Sequence, residues 1–207
     1  MRRLLLLPLL SLAALAAHAD EQARTVPAFT SISNSGPISI AIHVGKAQTV
    51  VASGNEKFLS LVKTEVVDDE LRISLKERNV SGSLGDPKVT ITMPALTRFQ
   101  MAGAGEATLT HMSGDSLSVE YSGAGSLKAD GKVKTLKLEI AGVGSIDTHK
   151  LLAEKVSVDV GGVGNVKVYA SDTLDAHVGG VGSLTYYGNP HNVSKSAGGI
   201  GSISKGD

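Results

Sequence analysis

The chain has 207 residues, with 20 basic and 20 acidic side chains and a formal net charge of zero, and no cluster of Lys and Arg suited to a phosphate backbone; nucleic acid is excluded as a partner. The absence of cysteine excludes disulfides, thiolate metal sites, a cysteine nucleophile and a lipid-modified N-terminal cysteine. At 42% hydrophobic and 19% charged residues the composition is that of a folded globular chain, and its unusual features are 24 glycines, no tryptophan and 3% aromatics.

The first predicted element is an export signal. Arg2 and Arg3 precede an apolar run from Leu4 to Ala17, which closes on Ala17-His18-Ala19 before Asp20. Charge, apolar stretch and small residues in that order predict a signal peptide over residues 1–19, cleaved after Ala19. The run falls short of the ~20 residues that span a bilayer, and no later segment approaches that length. Loss of Arg2 and Arg3 leaves 18 basic against 20 acidic residues, a net charge of −2. A periplasmic or secreted protein with no membrane span after cleavage is expected. Residues 20–28 are expected to be a flexible mature N-terminus.

Residues 29–96 alternate apolar and polar side chains at the period of a strand. The runs Ile38–Ile42, Thr49–Ala52, Phe58–Val62, Leu71–Leu75 and Val89–Met93 are separated by turn residues at Ser35-Gly36-Pro37, Gly45, Gly54 and Asp68-Asp69. About five strands are predicted, with Asn79 to Pro87 as the longest loop. Such a segment would cap one end of the second half of the chain, since an exposed sheet edge invites aggregation.

From residue 97 to 207 a Gly-x-Gly tripeptide recurs six times: Gly103 with Gly105, Gly123 with Gly125, Gly142 with Gly144, Gly162 with Gly164, Gly180 with Gly182, and Gly199 with Gly201, at intervals of 18 to 20 residues. Two positions beyond each pair lies an apolar residue: Ala107, Leu127, Ile146, Val166, Leu184 and Ile203. Upstream, stretches such as Leu136-Lys137-Leu138-Glu139-Ile140 alternate with period two. Each repeat reads as strand, glycine corner, short strand and loop. No third glycine at fixed spacing and no opening helix accompanies any copy, so a dinucleotide-binding fold is excluded. Strands that return every 19–20 residues without helices stack when the chain winds as a coil. The fold class predicted is therefore all-β, a parallel β-helix or solenoid whose twelve corner glycines are structural. Beyond Ile203 lie only Ser204 to Asp207. The C-terminal edge is expected either to be tolerated as short and polar or to pair with a second copy in a homo-oligomer.

The leader, the Phe29-to-Ile32 pattern, the Met93-Pro94-Ala95-Leu96 junction and the serial Gly-x-Gly-[Ser/Asn]-[apolar] repeats resemble the bacterial head-GIN domain family, a class of auto-transporter adhesin heads. The resemblance extends from Phe29 to Ser204. It implies a right-handed β-helix and an adhesin-like role, and it carries no catalytic residue across. Nothing after Asp207 would form an anchor or translocating barrel, which weighs against autotransporter-type display.

Candidate chemistry is sparse, with no catalytic residue, metal site or cofactor predicted. Stacking would align Gln100, Glu120, Glu139, Asp159, His177 and Ser196 in one outward column. Its carboxylates would recruit a cation or, with Lys137 nearby, form an ordinary solvated face; the second reading is favoured. Lys128, Asp147 and Lys167 alternate in sign down another column. Tyr169 and Tyr187 share a position on adjacent coils, where they could stack on a sugar ring. The five mature histidines, His43, His111, His149, His177 and His191, show no zinc spacing. The function expected is a non-catalytic exported envelope or surface module that recognises an envelope protein or a glycan. The alternative is a polysaccharide-acting enzyme that uses the acidic ladder.

Overall fold

In the computed structural model, which describes residues 20–77 and 81–207, the glycine pairs of successive repeats lie directly over one another. The predicted leader falls outside the described residues. Among the described residues, fifteen strands and one short helix follow in chain order. The N-terminal part contains β1 (Asp20–Ala23), β2 (Ser31–Asn34), β3 (Ser39–Val44), β4 (Thr49–Gly54), α1 (Glu56–Leu61), β5 (Val62–Val67), β6 (Glu70–Leu75) and β7 (Lys88–Met93). The repeats form β8 (Arg98–Met101), β9 (Ala104–Tyr121), β10 (Ala124–Ile140), β11 (Val143–Val160), β12 (Val163–Val178), β13 (Val181–Tyr187), β14 (Asn192–Ala197) and β15 (Ile200–Lys205).

Together these make a parallel β-solenoid of about five turns. Ala107, Leu127, Ile146, Val166 and Leu184 are register partners in sequence, continued by Ile203 and preceded by Ile40. From Ile40 to Leu184 all members of this ladder are no more than 2% exposed. Parallel ladders of Leu117, Leu136, Val156, Leu174 and of Val119, Leu138, Val158, Ala176 fill another part of the inner wall. Full burial of each such side chain contributes about 1.5 to 3 kcal/mol, so the core is the main stabilising term. In the repeats that form β9 to β12 the segment expected to be a loop is instead strand, whereas residues 188–191 between β13 and β14 keep it as a loop. β9, β10, β11 and β12 run unbroken for 16 to 18 residues and bend around the coil. Their bends fall where the register shifts, as between Lys128 and Asp130, and at His111, whose φ is 58°.

The two glycines of each pair occupy different places in the coil. The first members, Gly103, Gly123, Gly142, Gly162, Gly180 and Gly199, stand in the short connections between strands. The second members, Gly105, Gly125, Gly144, Gly164, Gly182 and Gly201, are strand residues, each the second residue of its strand and paired in register with the next. They sit inside the ladder because the chain has already turned at the first glycine and begun to pair with the coil below.

The two positions also exclude a side chain for different reasons. A methyl group on Gly162 would collide with the carbonyl oxygen of Gly142 one coil below, although Gly162 has an ordinary backbone conformation. Gly182 meets the same obstruction from Gly164 and also has φ of +147°, a region disfavoured for any residue with a Cβ. Gly105, Gly125, Gly144 and Gly164 share that positive φ, whereas Gly201 on the last coil does not and would meet the Val178 side chain instead.

The N-terminal part is woven into the same core. β2 lies between β6 and β8, and β3 between β7 and β9, all parallel. The chain thus lays down the second coil first, drops to form the end coil from β6 and β7, then returns above. The end coil is sealed by antiparallel strands: β4 on β7, β5 on β6 and β1 on β4. The β5–β6 hairpin turns on Asp68 and Asp69, with φ of 52° and 63°, a type I′ turn that suits the strand twist.

Two expectations for this part are corrected. Phe58 to Leu61 is helix rather than strand, with Val62 opening β5: residues Glu56–Leu61 form α1, because Asn55 caps it by accepting a hydrogen bond from the Phe58 amide at 2.9 Å and Phe58 is buried completely. Residues 20–28 include β1, hydrogen-bonded to β4 rather than free. At the first corner Asn34, fully buried, donates to the Ile38 carbonyl at 2.9 Å and accepts from the amide of Gly36, the residue over which Gly103 stacks, at 3.0 Å.

Candidate functional site

The acidic column forms as predicted from register. Gln100, Glu120, Glu139, Asp159, His177 and Ser196 are successive partners across β8, β9, β10, β11, β12 and β14. Ser33 and Arg72 extend the line toward the capped end. A shallow cavity of about 420 Å³ is lined by Gln100, Glu120, Glu139 and Asp159. Its carboxylates are not bare. Arg98 donates to Glu120 at 2.8 Å, and Lys137 lies 2.6 Å from Glu139. The hydrogen bond and charge of Glu139 hold the Lys137 ammonium above its ordinary pKa, with Glu120 adding to the effect. Among the described residues no three His, Asp or Glu side chains converge as a metal site.

The second feature lies where β11 turns its corner. Thr148 points inward, fully buried, and its Oγ1 donates to the Lys167 carbonyl at 3.0 Å. Its neighbours Asp147 and His149 therefore face outward, as the alternation of a strand requires. The His149 ring nitrogen lies 2.5 Å from the Asp147 carboxylate, and the His149 amide donates to the same oxygen at 3.3 Å. Burial pushes the Asp147 carboxyl upward, but the hydrogen bonds from His149 and the charges of His149 and Lys167 outweigh it and leave the group below the usual carboxylate range. Lys128 and Lys167 flank Asp147 in register, so the alternating column is present. Thr108, Lys128, Asp130, Asp147, His149 and Lys150 line a cavity of about 310 Å³.

Tyr169 and Tyr187 are register partners on adjacent coils. The His149 ring lies 5.4 Å, centroid to centroid, from Tyr187 at an interplanar angle of 46°. His149 thus joins the tyrosine pair, which sequence reading did not bring out. The signal available was the Asp-Thr-His triplet, since period two places its outer members on one face. The other histidines stand apart from this group: His43 bonds to Thr110 at 2.5 Å and His191 approaches Asp172 at 3.4 Å.

Two further surface features are present. The residues between the paired glycines form an exposed apolar ridge in which Val143, Val163, Val181 and Ile200 are 58%, 48%, 46% and 81% exposed. At the end coil, where a long connection replaces the Gly-x-Gly corner, Ser35, Gly36, Pro37, Ser74, Leu75 and Glu77 border a cavity of about 630 Å³.

A family model described as "Putative auto-transporter adhesin, head GIN domain" matches residues 28–190. The crystal structure of a "putative adhesin" from Bacteroides fragilis NCTC 9343 is similar at 25% identity and a TM-score of 0.74, covering 92% of this chain and 98% of that one. A second from Parabacteroides merdae ATCC 43184 is 16% identical, with 92% and 97% coverage and a TM-score of 0.50. A third from Parabacteroides distasonis ATCC 8503 is 17% identical, with 90% and 96% coverage and a TM-score of 0.50. The last two share the fold alone. No curated protein matches the chain.

Proposed function

Because the chain belongs to the head GIN domain family, we propose that it is an exported, non-catalytic binding module of adhesin type, which holds a glycan or an envelope protein against the outer faces of its solenoid. The observation that carries this reading is the state of the acidic column. A polysaccharide-acting enzyme needs one carboxyl group kept protonated near neutral pH as a general acid, which requires burial or an adjacent like charge. Here Glu120 is engaged by Arg98 and Glu139 by Lys137, and Glu139 and Asp159 are exposed, so the column offers no buried carboxyl group. The column is therefore an exposed and partly ion-paired face that suits recognition better than bond cleavage.

The outer surface supports the same reading. Outward side chains repeat in register along strands of 16 to 18 residues. Export follows from the leader over residues 1–19, and N-terminal sequencing of exported protein is expected to begin at Asp20. Recognition is assigned to the faces of the solenoid rather than to a second copy at the β14–β15 edge, because that edge carries Lys195 and Lys205 at positions that elsewhere point into the core. The test is a glycan array run beside a polysaccharide-degradation screen on protein lacking residues 1–19. Retention of a glycan or an envelope protein with no released product is expected. Release of oligosaccharide by the wild type would overturn the reading in favour of the enzyme.

A further inference from the structure

We propose that Tyr169, Tyr187 and His149, with Asp147 beside them, form a platform for the ring of a neutral saccharide. This inference rests on the binding-module reading and names the ligand class and the place. It starts from the distribution of aromatic rings. The chain has three phenylalanines and four tyrosines. Phe29, Phe58, Phe99, Tyr121 and Tyr186 are each at most 7% exposed and belong to the core. The remaining two, Tyr169 and Tyr187, are partly exposed, and they occur side by side in register.

Both rings are held in place. A side chain on Gly206 would collide with the Tyr187 ring, and one on Gly188 would press on the Tyr169 ring, so backbone passes close beside each. A rigid aromatic surface loses little conformational entropy on binding, which is why tyrosines serve as contact residues. An aromatic face is apolar and carries a negative quadrupole, and it attracts the weakly positive C–H face of a pyranose ring.

Hydroxyl groups at the rim of such a ring need hydrogen-bonding partners, and the adjoining cavity supplies them. Asp147 is an acceptor fixed by His149, while Thr108, Lys128 and Lys150 provide donors around the same cavity of about 310 Å³. An apolar surface with a few fixed polar groups is the usual composition of a small-ligand site. The charges select the saccharide. Lys128 and Lys150 line the cavity together with Asp130 and Asp147, and Lys128 is engaged by Glu106 at 3.1 Å. With cations and carboxylates matched, no surplus positive charge is present to reward a uronate or sulfate.

The experiment uses protein lacking residues 1–19 and four probes, the tetrasaccharides of maltose, cellobiose, mannose and chitobiose type, beside a uronate oligomer and a sulfated oligomer. Calorimetry measures affinity, and NMR follows the tyrosine ring resonances. At least one neutral probe is expected to bind and to shift the rings of Tyr169 and Tyr187. Affinity should fall by about tenfold in either Tyr→Ala variant, the loss expected for one aromatic contact, and stay within about threefold in Tyr187→Phe, which keeps the ring. Thermal melting establishes that each variant is folded, and the wild-type ring shifts stand as a readout if an alanine variant is not. Neutral-probe binding that is unchanged in the folded double alanine variant would overturn the platform while leaving the binding-module reading intact. Binding confined to the uronate or sulfated oligomer, or no binding by the folded wild type, would also overturn it. Hydrolysis of a probe would instead sink the binding-module reading itself.

Discussion

The glycines of the repeat separate two physical demands that composition alone merges. At Gly162 the demand is space, because the Gly142 carbonyl below occupies the volume of a Cβ; at Gly182 a φ of +147° is added to the same obstruction. Gly198 precedes a pair of the same repeat, yet nothing lies within 4 Å of a Cβ placed there. Gly162→Ala and Gly182→Ala are expected to destabilise by at least about 1 to 3 kcal/mol each, the cost of a forced backbone shift, whereas Gly198→Ala should melt like the wild type. Equal melting temperatures for all three in calorimetry would remove the stacking explanation. Asp147 supplies a pH test at the same scale. Its carboxyl is held below the usual range in the folded state, so its stabilising contribution is fully present above about pH 4, the unfolded value, and is lost as pH falls through the folded pKa. Asp147→Asn should therefore melt below the wild type at pH 7, with the gap narrowing as pH drops below about 4. A gap that persists undiminished at pH 2 would contradict the His149 pairing.

Individual coils have no independent core, and this governs the behaviour of whole elements. Ile140 is 6% exposed and lies between Tyr121 and Val160 in one inward ladder. Ile140→Asp would place a carboxylate there with no cation opposite, at a cost of several kcal/mol, so cooperative melting should be lost; a variant with the wild-type transition would refute the inward assignment. The sequence made this ladder legible because burial on one face writes a period of two, and stacking writes a period of about twenty. The same arithmetic exposed the acidic column and the Tyr169–Tyr187 pair. Bends within a strand were less visible, since β9 to β12 turn their corners without always spending a glycine or proline. The split between first and second glycines was equally hidden, because both read as corner residues until the hydrogen bonding of the strand is known. α1 was concealed because Phe58-Leu59-Ser60-Leu61 reads like a strand, and the cap in which Asn55 accepts a hydrogen bond from the Phe58 amide is what favours the helix. His149 was missed for a related reason: its column is broken by the register shift after Thr148, so counting along repeats did not bring it to Tyr187.

For the molecule as a whole, the problem is two open ends. Each exposes unpaired backbone groups and a cross-section of apolar core, to which another sheet could add. At one end the chain lays β4, β5, β1 and α1 across the opening. At the other the ladders change chemistry. Thr148, Val168 and Tyr186 are followed by Lys205, and Leu138, Val158 and Ala176 by Lys195. The Lys195 ammonium sits 5.5 Å over the Tyr186 ring, and Lys205 donates to Asn189 at 2.7 Å. Lysine suits this place because its aliphatic stem covers the core while its charge stays in water. A further coil stacked on top would have to bury both ammonium groups, at several kcal/mol apiece, which opposes end-to-end growth. Lys195→Val with Lys205→Val is therefore expected to convert the protein into a form whose sedimentation coefficient rises with concentration. Lys132→Val, which alters an exposed side chain midway along the solenoid, should leave sedimentation unchanged. If the double variant sediments as the wild type does at every concentration, the lysines are not what keeps the end of the solenoid from adding another molecule.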